Sequence, residues 1–244
     1  MRLGGNTVVI TGGSSGIGQE LVRRFAAAGS AVVTCARRAD RLAELARLPG
    51  VATRACDLAV ETERAAFAAW VAREHPKANV LINNAGMQLA ADFTKQLDFS
   101  AVRSEVETNL LAPMHLANLF LPLLAGKPGA AIVNISSGLA FCPIAFMPVY
   151  CATKAAVHSF SLSLRRQAAT KGVAVFEIAP PSVDSELGHE HWRPGQGSHG
   201  GMPVAAFVQE MLGALEANAF ETAVGQAAGM REKREALFDA LNNR

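Results

Sequence analysis

The one tyrosine of this 244-residue chain, Tyr150, stands four residues before Lys154 in the run Tyr150-Cys-Ala-Thr-Lys154. On a helix that spacing puts the phenol and the ammonium on one face. A nearby cation stabilises phenolate and so lowers a tyrosine's pKa. A phenol tuned in this way can give a proton to a carbonyl oxygen or take one from an alcohol. Ser137 lies 13 residues earlier, and its hydroxyl can hydrogen-bond and polarise the same oxygen. Read alone, Tyr-x-x-x-Lys is more often a surface helix pair, and Ser136-Ser137-Gly138 reads equally as an ordinary turn.

A second stretch has the pattern of a phosphate cradle. Thr11-Gly-Gly-Ser-Ser-Gly-Ile-Gly18 follows the apolar run Thr7–Ile10 and precedes a helical stripe of Ile17, Leu21, Phe25 and Ala28. In a strand–glycine turn–helix unit, unpaired N–H groups and the helix dipole favour a dinucleotide's phosphates. Gly12, Gly16 and Gly18 are spaced G-x-x-x-G-x-G rather than the usual G-x-G-x-x-G. A structural βα turn carries equal weight while this stretch is read alone.

The elements that must hold these groups alternate. Strands are expected at 7–10, 31–35, 51–56, 79–83, 130–135, 173–178 and 221–224. Helices are expected at 17–28, 38–47, 60–75, 101–124 (bent or broken near Pro113 and Pro122), 149–171, 203–217 and 231–241. The strands are continuous apolar runs, which is the signature of a parallel sheet covered on both faces. The predicted fold is α/β: one doubly wound domain over 1–244, about seven parallel strands with helices on both faces. The segment 181–203, rich in Gly, Pro, Ser and His, reads as a long irregular stretch, which is either a lid or binding element or disordered.

Composition excludes other classes. Half of the residues are hydrophobic and 18% are charged, as in a globular chain. A net charge of +2 without a Lys/Arg run gives no nucleic-acid footprint. No apolar stretch reaches membrane-spanning length, and the start has no signal-peptide core, so a cytoplasmic protein is expected. Cys35, Cys56, Cys142 and Cys151 form no C-x-x-C pair and read as buried, reduced thiols.

The strand at 31–35 should end beside the adenosine ribose, where an acid marks NAD(H). Here Arg37 and Arg38 follow instead, and guanidinium matches a 2′-phosphate. NADP(H) is therefore favoured over NAD(H), with solvated helix-start charges as the other reading and Asp40 as a competitor. Asp57 can accept from an adenine amino group or cap the next helix. Asn83-Asn-Ala-Gly86 offers small residues for a close backbone approach.

Thr11–Gly18, Asn83–Gly86, Asn109, Ser137, Tyr150 and Lys154, in this order and spacing, resemble the short-chain dehydrogenase/reductase family over about 7–224. The resemblance implies a Rossmann-type fold and a tetrad. Tyr150 would be the acid/base. Lys154 would lower its pKa and hold the nicotinamide ribose, and Ser137 would orient the substrate carbonyl. Asn109 would bind a water that relays protons. It also implies that Gly12, Ser14, Ser15, Gly16, Ile17, Gly18, Arg37, Arg38, Asp57, Leu58, Asn83, Ala85, Gly86, Pro180, Val183 and Ser185, with Tyr150 and Lys154, would hold NADP(H). Pro181 departs from the family's Pro-Gly, and Ser185 stands where a threonine is usual. Pro181 stiffens that turn and removes an N–H. The stretches 133–141, 149–156 and 180–185 are similar to a narrower bacterial subgroup, the DltE-type oxidoreductases.

The substrate pocket is expected to be framed by Met87, Gln88, Phe93, 139–147 and 181–203, with Phe141, Phe146, Met147 and Trp192 making it apolar. That suits a medium-sized ketone or aldehyde. His189, His191 and His199 read as lid residues and no metal is expected; His158 reads as packing or a subunit contact. The helices 101–124 and 149–171 carry apolar surface that, by the resemblance, would pair in a homodimer or homotetramer. A nucleotide-sensing protein without a substrate, and an epimerase with transient hydride transfer, are the other functions weighed on the same fold.

Overall fold

The architecture follows from the burial of the strand runs. In the computed structural model, which describes residues 1–187 and 200–243, the strands are β1 (Thr7–Thr11), β2 (Ala31–Ala36), β3 (Val51–Ala55), β4 (Val80–Asn83), β5 (Ala131–Ile135), β6 (Ala174–Ala179), β7 (Val183–Asp184), β8 (Met202–Pro203) and β9 (Glu221–Ala223). The helices are α1 (Gly16–Ala27), α2 (Ala39–Leu45), α3 (Glu61–Glu74), α4 (Phe99–Val106), α5 (Ala112–Leu124), α6 (Pro148–Ala169), α7 (Val204–Glu216), α8 (Gln226–Lys233) and α9 (Phe238–Asn242). Seven strands form one parallel sheet in the order β3-β2-β1-β4-β5-β6-β9.

Each face of the sheet has its own core. Val8, Ile10, Ile82, Val133 and Phe176 point to one side, against Leu21 and Phe25 of α1 and Phe207 and Met211 of α7. Val9, Leu81, Ile132 and Val175 point to the other, against Phe67 and Val71 of α3, Leu116 and Phe120 of α5, and Leu164 of α6. Complete burial of such a side chain contributes about 1.5–3 kcal/mol. The alternation explains why the strands read as unbroken apolar runs: both faces are covered.

The chain leaves β1 towards β2 on one side and, after β3, returns to β4 on the other side of β1. This reversal opens a crevice at the carboxyl ends of β1 and β4, the place where open α/β sheets bind ligands. Glycine turn, Asn83–Gly86 run and Ser137 all lie at that edge.

Three expected elements are corrected. The helix expected over 101–124 begins at Phe99, where the Asp98 carboxylate accepts from Ser100 N–H at 2.9 Å. It then widens into a π-turn over Glu107–Leu111, closed by Ala112 N–H on the Glu107 carbonyl. Pro113 has no N–H to offer Asn109 four residues back, so an ordinary turn cannot close there. The tail is not one helix over 231–241: α8 starts at Gln226, a 3₁₀ turn fills Arg234–Leu237, and α9 follows. Segment 181–203 is not wholly irregular, because β7 and β8 pair in parallel near its ends. Residues 188–199, with His189, His191, Trp192 and His199, lie outside the described residues.

Candidate active site

The glycine turn is built by close backbone approach. A Cβ on Gly12 would stand 2.8 Å from Ala85 Cα, and one on Gly18 would stand 2.2 Å from the Gly12 carbonyl oxygen. Gly12 and Gly16 also have φ of +73° and +51°, which only glycine adopts freely. Thr11 ties this turn to β4: its buried hydroxyl oxygen accepts from Asn84 N–H and Ala85 N–H, both at 3.0 Å. Asn84 Nδ2 returns a bond to the Thr11 carbonyl at 2.9 Å. The side-chain lock that asparagines of the 83–86 run can make is supplied by Asn84, whereas Thr11 has no role of its own in the sequence reading although it opens the glycine stretch.

Asn83 behaves differently from its neighbours. Its side chain turns into the core and donates to Asn134 Oδ1 at 2.9 Å, away from the crevice that Asn84, Ala85 and Gly86 line. That crevice is a cleft of about 1660 Å³, bordered by Gly12, Ser14–Gly18, Arg37, Arg38, Asp57, Leu58, Pro180, Val183 and Ser185. Its volume exceeds the ~300–1,000 Å³ of an ordinary small-molecule site, so a dinucleotide and a second reactant fit together. The tight glycines fit the group too: a Cβ at Gly12 or Gly18 would strike Ala85 or the Gly12 carbonyl and force the turn out of shape.

At the far end Arg38 reaches back over the turn, donating to Ser14 Oγ from Nε at 3.4 Å and Nη2 at 3.3 Å. Arg37 is exposed at the rim. Asp57 uses one oxygen to accept from Ala59 N–H at 2.9 Å, while Glu63 accepts from Asp57 N–H at 2.7 Å, so it braces the entry to α3 as well as lining the cleft. The Cys35 and Cys56 thiols meet in a hydrogen bond beneath it that pushes Cys35 up and Cys56 down. All four cysteines are free and buried.

At the chemical end, α6 presents Tyr150 and Lys154 as expected, with Ser137 just beyond β5. Tyr150 is 6% exposed and shares a hydrogen bond with Ser137. Lys154 is 4% exposed; its Nζ donates to the Ile135 carbonyl at 2.9 Å and lies 5.6 Å from the Tyr150 ring centroid. The net shift of the phenol runs opposite to the expected lowering. Burial pushes Tyr150 above its ordinary value, and the Ser137 bond offsets only part of that. Burial also lowers Lys154 to about 8, against the pull of Glu105 and Glu177. Desolvation is the largest cause for both groups.

The π-turn places Asn109 behind Gly86. Its Oδ1 accepts from Met87 N–H at 2.8 Å, and its Nδ2 donates to the Met87 carbonyl at 2.8 Å and to Thr153 Oγ1 at 3.3 Å. A Cβ on Gly86 would meet Asn109 Oδ1 at 3.4 Å and Lys154 Nζ at 3.8 Å, so both groups converge on one backbone point. One turn before Asn109 stands Glu105, missed by the sequence reading. It is 1% exposed and accepts from Leu89 N–H at 3.1 Å. Burial raises it to about 7, opposed by the Leu89 bond and Lys154.

The substrate side is apolar, with altered membership. Met87, Leu89, Leu139, Ile144, Phe146 and Met230 line the cleft, joined by Leu241 and Asn242 from the tail. Asn242 Oδ1 accepts from Ala145 N–H. Phe93 lies elsewhere, in an apolar depression of about 310 Å³ with Val106, Leu110, Pro148 and Val149. Phe141 and Met147 are core residues. Phe141 packs edge-on against His158, ring centroids 4.9 Å apart, and His158 Nδ1 meets Glu177 at 2.8 Å. Glu221 lies within the same cluster and pairs with Arg231 at 2.7 Å. Pro181 lines the cleft, and the Pro180 carbonyl accepts from Gly138 N–H at 2.8 Å.

The chain is similar to known proteins in sequence and in fold. Residues 6–194 match the family model described as short chain dehydrogenase. The chain is 45% identical to the "Uncharacterized oxidoreductase DltE" of Bacillus subtilis, over 99% of this chain and 96% of that protein. It is similar to the structure of a short-chain dehydrogenase from Sphingobium yanoikuyae in complex with NADPH: TM-score 0.79, 32% identity, covering 89% of this chain and 87% of that one. The fold alone is shared with a short chain dehydrogenase/reductase from Burkholderia phymatum in complex with NAD, with TM-score 0.83 and 22% identity over 95% and 93% of the two chains.

Proposed function

The chain belongs to the short-chain dehydrogenase/reductase family and is a nicotinamide-dependent oxidoreductase; from that premise we propose that it is NADP(H)-dependent and acts on a ketone or aldehyde and the matching alcohol. The observation that carries the reading is the convergence of Tyr150, Ser137 and Lys154 at one end of a cleft whose other end is the glycine turn. When bound, the nicotinamide supplies or accepts the hydride.

The chain's own residues do the rest. Ser137 donates a hydrogen bond to the carbonyl oxygen and polarises it. Tyr150, held protonated by its burial, gives its proton to that oxygen as negative charge develops there. Lys154, charged below about pH 8, holds the ribose hydroxyls and favours the phenolate left behind. Asn109 fixes Met87 and the rim of the cleft, and the water it binds would return the proton. Met87, Leu89, Ile144 and Met230 exclude solvent and select a hydrophobic carbonyl compound. The chemistry calls on no metal.

NADP(H) is preferred because Arg38 leans over Ser14 and no acid ends β2. The apolar depression between α4 and α6 supports self-association as a dimer or tetramer. Free, buried cysteines suit a reducing cytoplasm. The experiment is a panel of ketones and aldehydes with each cofactor, read at the nicotinamide absorbance. NADPH consumption stoichiometric with carbonyl reduction supports the reading. Catalysis without net cofactor oxidation indicates an epimerase, and tight nucleotide binding without turnover indicates a sensor.

A further inference from the structure

We propose that Glu186 is a specificity residue of the cofactor site: its carboxylate occupies Arg38, the guanidinium at the cleft that would receive a 2′-phosphate, and so weakens NADP(H) binding selectively. The inference rests on the NADP(H) reading above.

The geometry is specific. Glu186 Oε2 accepts from Arg38 Nη1 at 2.7 Å and Oε1 accepts from Arg41 Nη1 at 2.5 Å. One oxygen therefore serves each guanidinium, and the two arginines stand three residues apart on the start of α2, where side chains share a face. Arg38 simultaneously touches Ser14 of the glycine turn, so the Arg38 end of the bridge lies over the nucleotide end of the cleft. Glu186 arrives from 148 residues away in sequence. Its neighbour Ser185 sits against the glycine turn, 3.1 Å from where a Gly16 Cβ would be. The stretch 185–187 thus straps across the cleft from the substrate side to the ribose side.

Carboxylate and phosphate compete for the same donors. A phosphate has three acceptor oxygens and a charge of about −1.5 to −2, against two oxygens and one charge. It displaces the carboxylate, but part of its attraction replaces contacts that already exist. A ribose 2′-hydroxyl carries no charge and leaves the bridge in place. Glu186 therefore acts on the phosphorylated cofactor alone. Asp40 and Glu44 also face Arg41, so that guanidinium keeps acidic neighbours when Glu186 leaves.

The test is calorimetric titration of full-length protein with NADPH, NADH and 2′,5′-ADP, comparing wild type with Glu186→Gln. The pairs are 36–51% exposed, where each is weak, so NADPH and 2′,5′-ADP should tighten by roughly two- to tenfold in the variant. NADH should stay within about a factor of two. Glu186→Ala, which removes both oxygens, should shift the same way and guards against a folding defect in one variant. Wild type that prefers NADPH, with variants that bind it no tighter, overturns this inference and leaves the cofactor reading standing. Wild type that binds NADH more tightly than NADPH overturns the cofactor reading and this inference with it.

Discussion

Replacing Glu105 by glutamine should flatten the pH dependence of stability. Glu105 is 1% exposed, accepts one N–H from Leu89, and is raised by burial to about 7 from 4.5. A carboxyl raised in the native state keeps a proton that the unfolded chain gives up. Its burial costs nothing below about pH 4.5, where both states are protonated. Between about pH 4.5 and 7 the unfolded state ionises first, and stability falls as pH rises. Above about 7 the full difference is in place, about 3 kcal/mol as an upper limit at 1.36 kcal/mol for each tenfold change. Glutamine keeps the acceptor for Leu89 and never ionises. Denaturant unfolding at pH 5 and pH 8 measures the difference. Wild type should lose about 1–3 kcal/mol more than Glu105→Gln between those two values. Parallel losses in the two proteins would refute the argument, because every other titrating group is common to both.

Two further substitutions test the nucleotide end. Thr11→Val removes the acceptor shared by Asn84 N–H and Ala85 N–H in a buried setting; it should cost about 2–4 kcal/mol in denaturant unfolding, and a loss under about 0.5 kcal/mol would contradict the role. Gly18→Ala drives a methyl to 2.2 Å from the Gly12 carbonyl oxygen. Nucleotide affinity measured by fluorescence titration should fall more than about tenfold, whereas unchanged affinity would show that the turn does not touch the cofactor.

What could be read from the sequence differs by the range of the contact. The strands were legible because burial on both faces makes them plain apolar runs, as Val80–Asn83 and Ala131–Ile135 show. Tyr150 and Lys154 were legible because a four-residue spacing has one meaning on a helix. Pro113 announced a disturbed helix, but not that the disturbance would be a π-turn carrying Asn109 towards Gly86 and Lys154. Phe93, Phe141 and Met147 were placed in the pocket because apolar identity alone does not separate a core residue from a lining one. Arg38 and Glu186, and Ala145 and Asn242, meet only through the tertiary fold. No local pattern encodes contacts between residues so far apart. The phenol of Tyr150 shows a further limit: the sequence gives its cationic neighbour, but its pKa is governed by how deeply the phenol is buried.

The most direct test of the central claim is turnover of Tyr150→Phe with NADPH and the best carbonyl compound from the panel. Phenylalanine keeps the ring and removes only the proton donor. The account predicts that kcat falls by about 10²–10⁴-fold. Turnover within a few-fold of wild type would contradict it, and would move the acid/base role away from the one tyrosine in the chain.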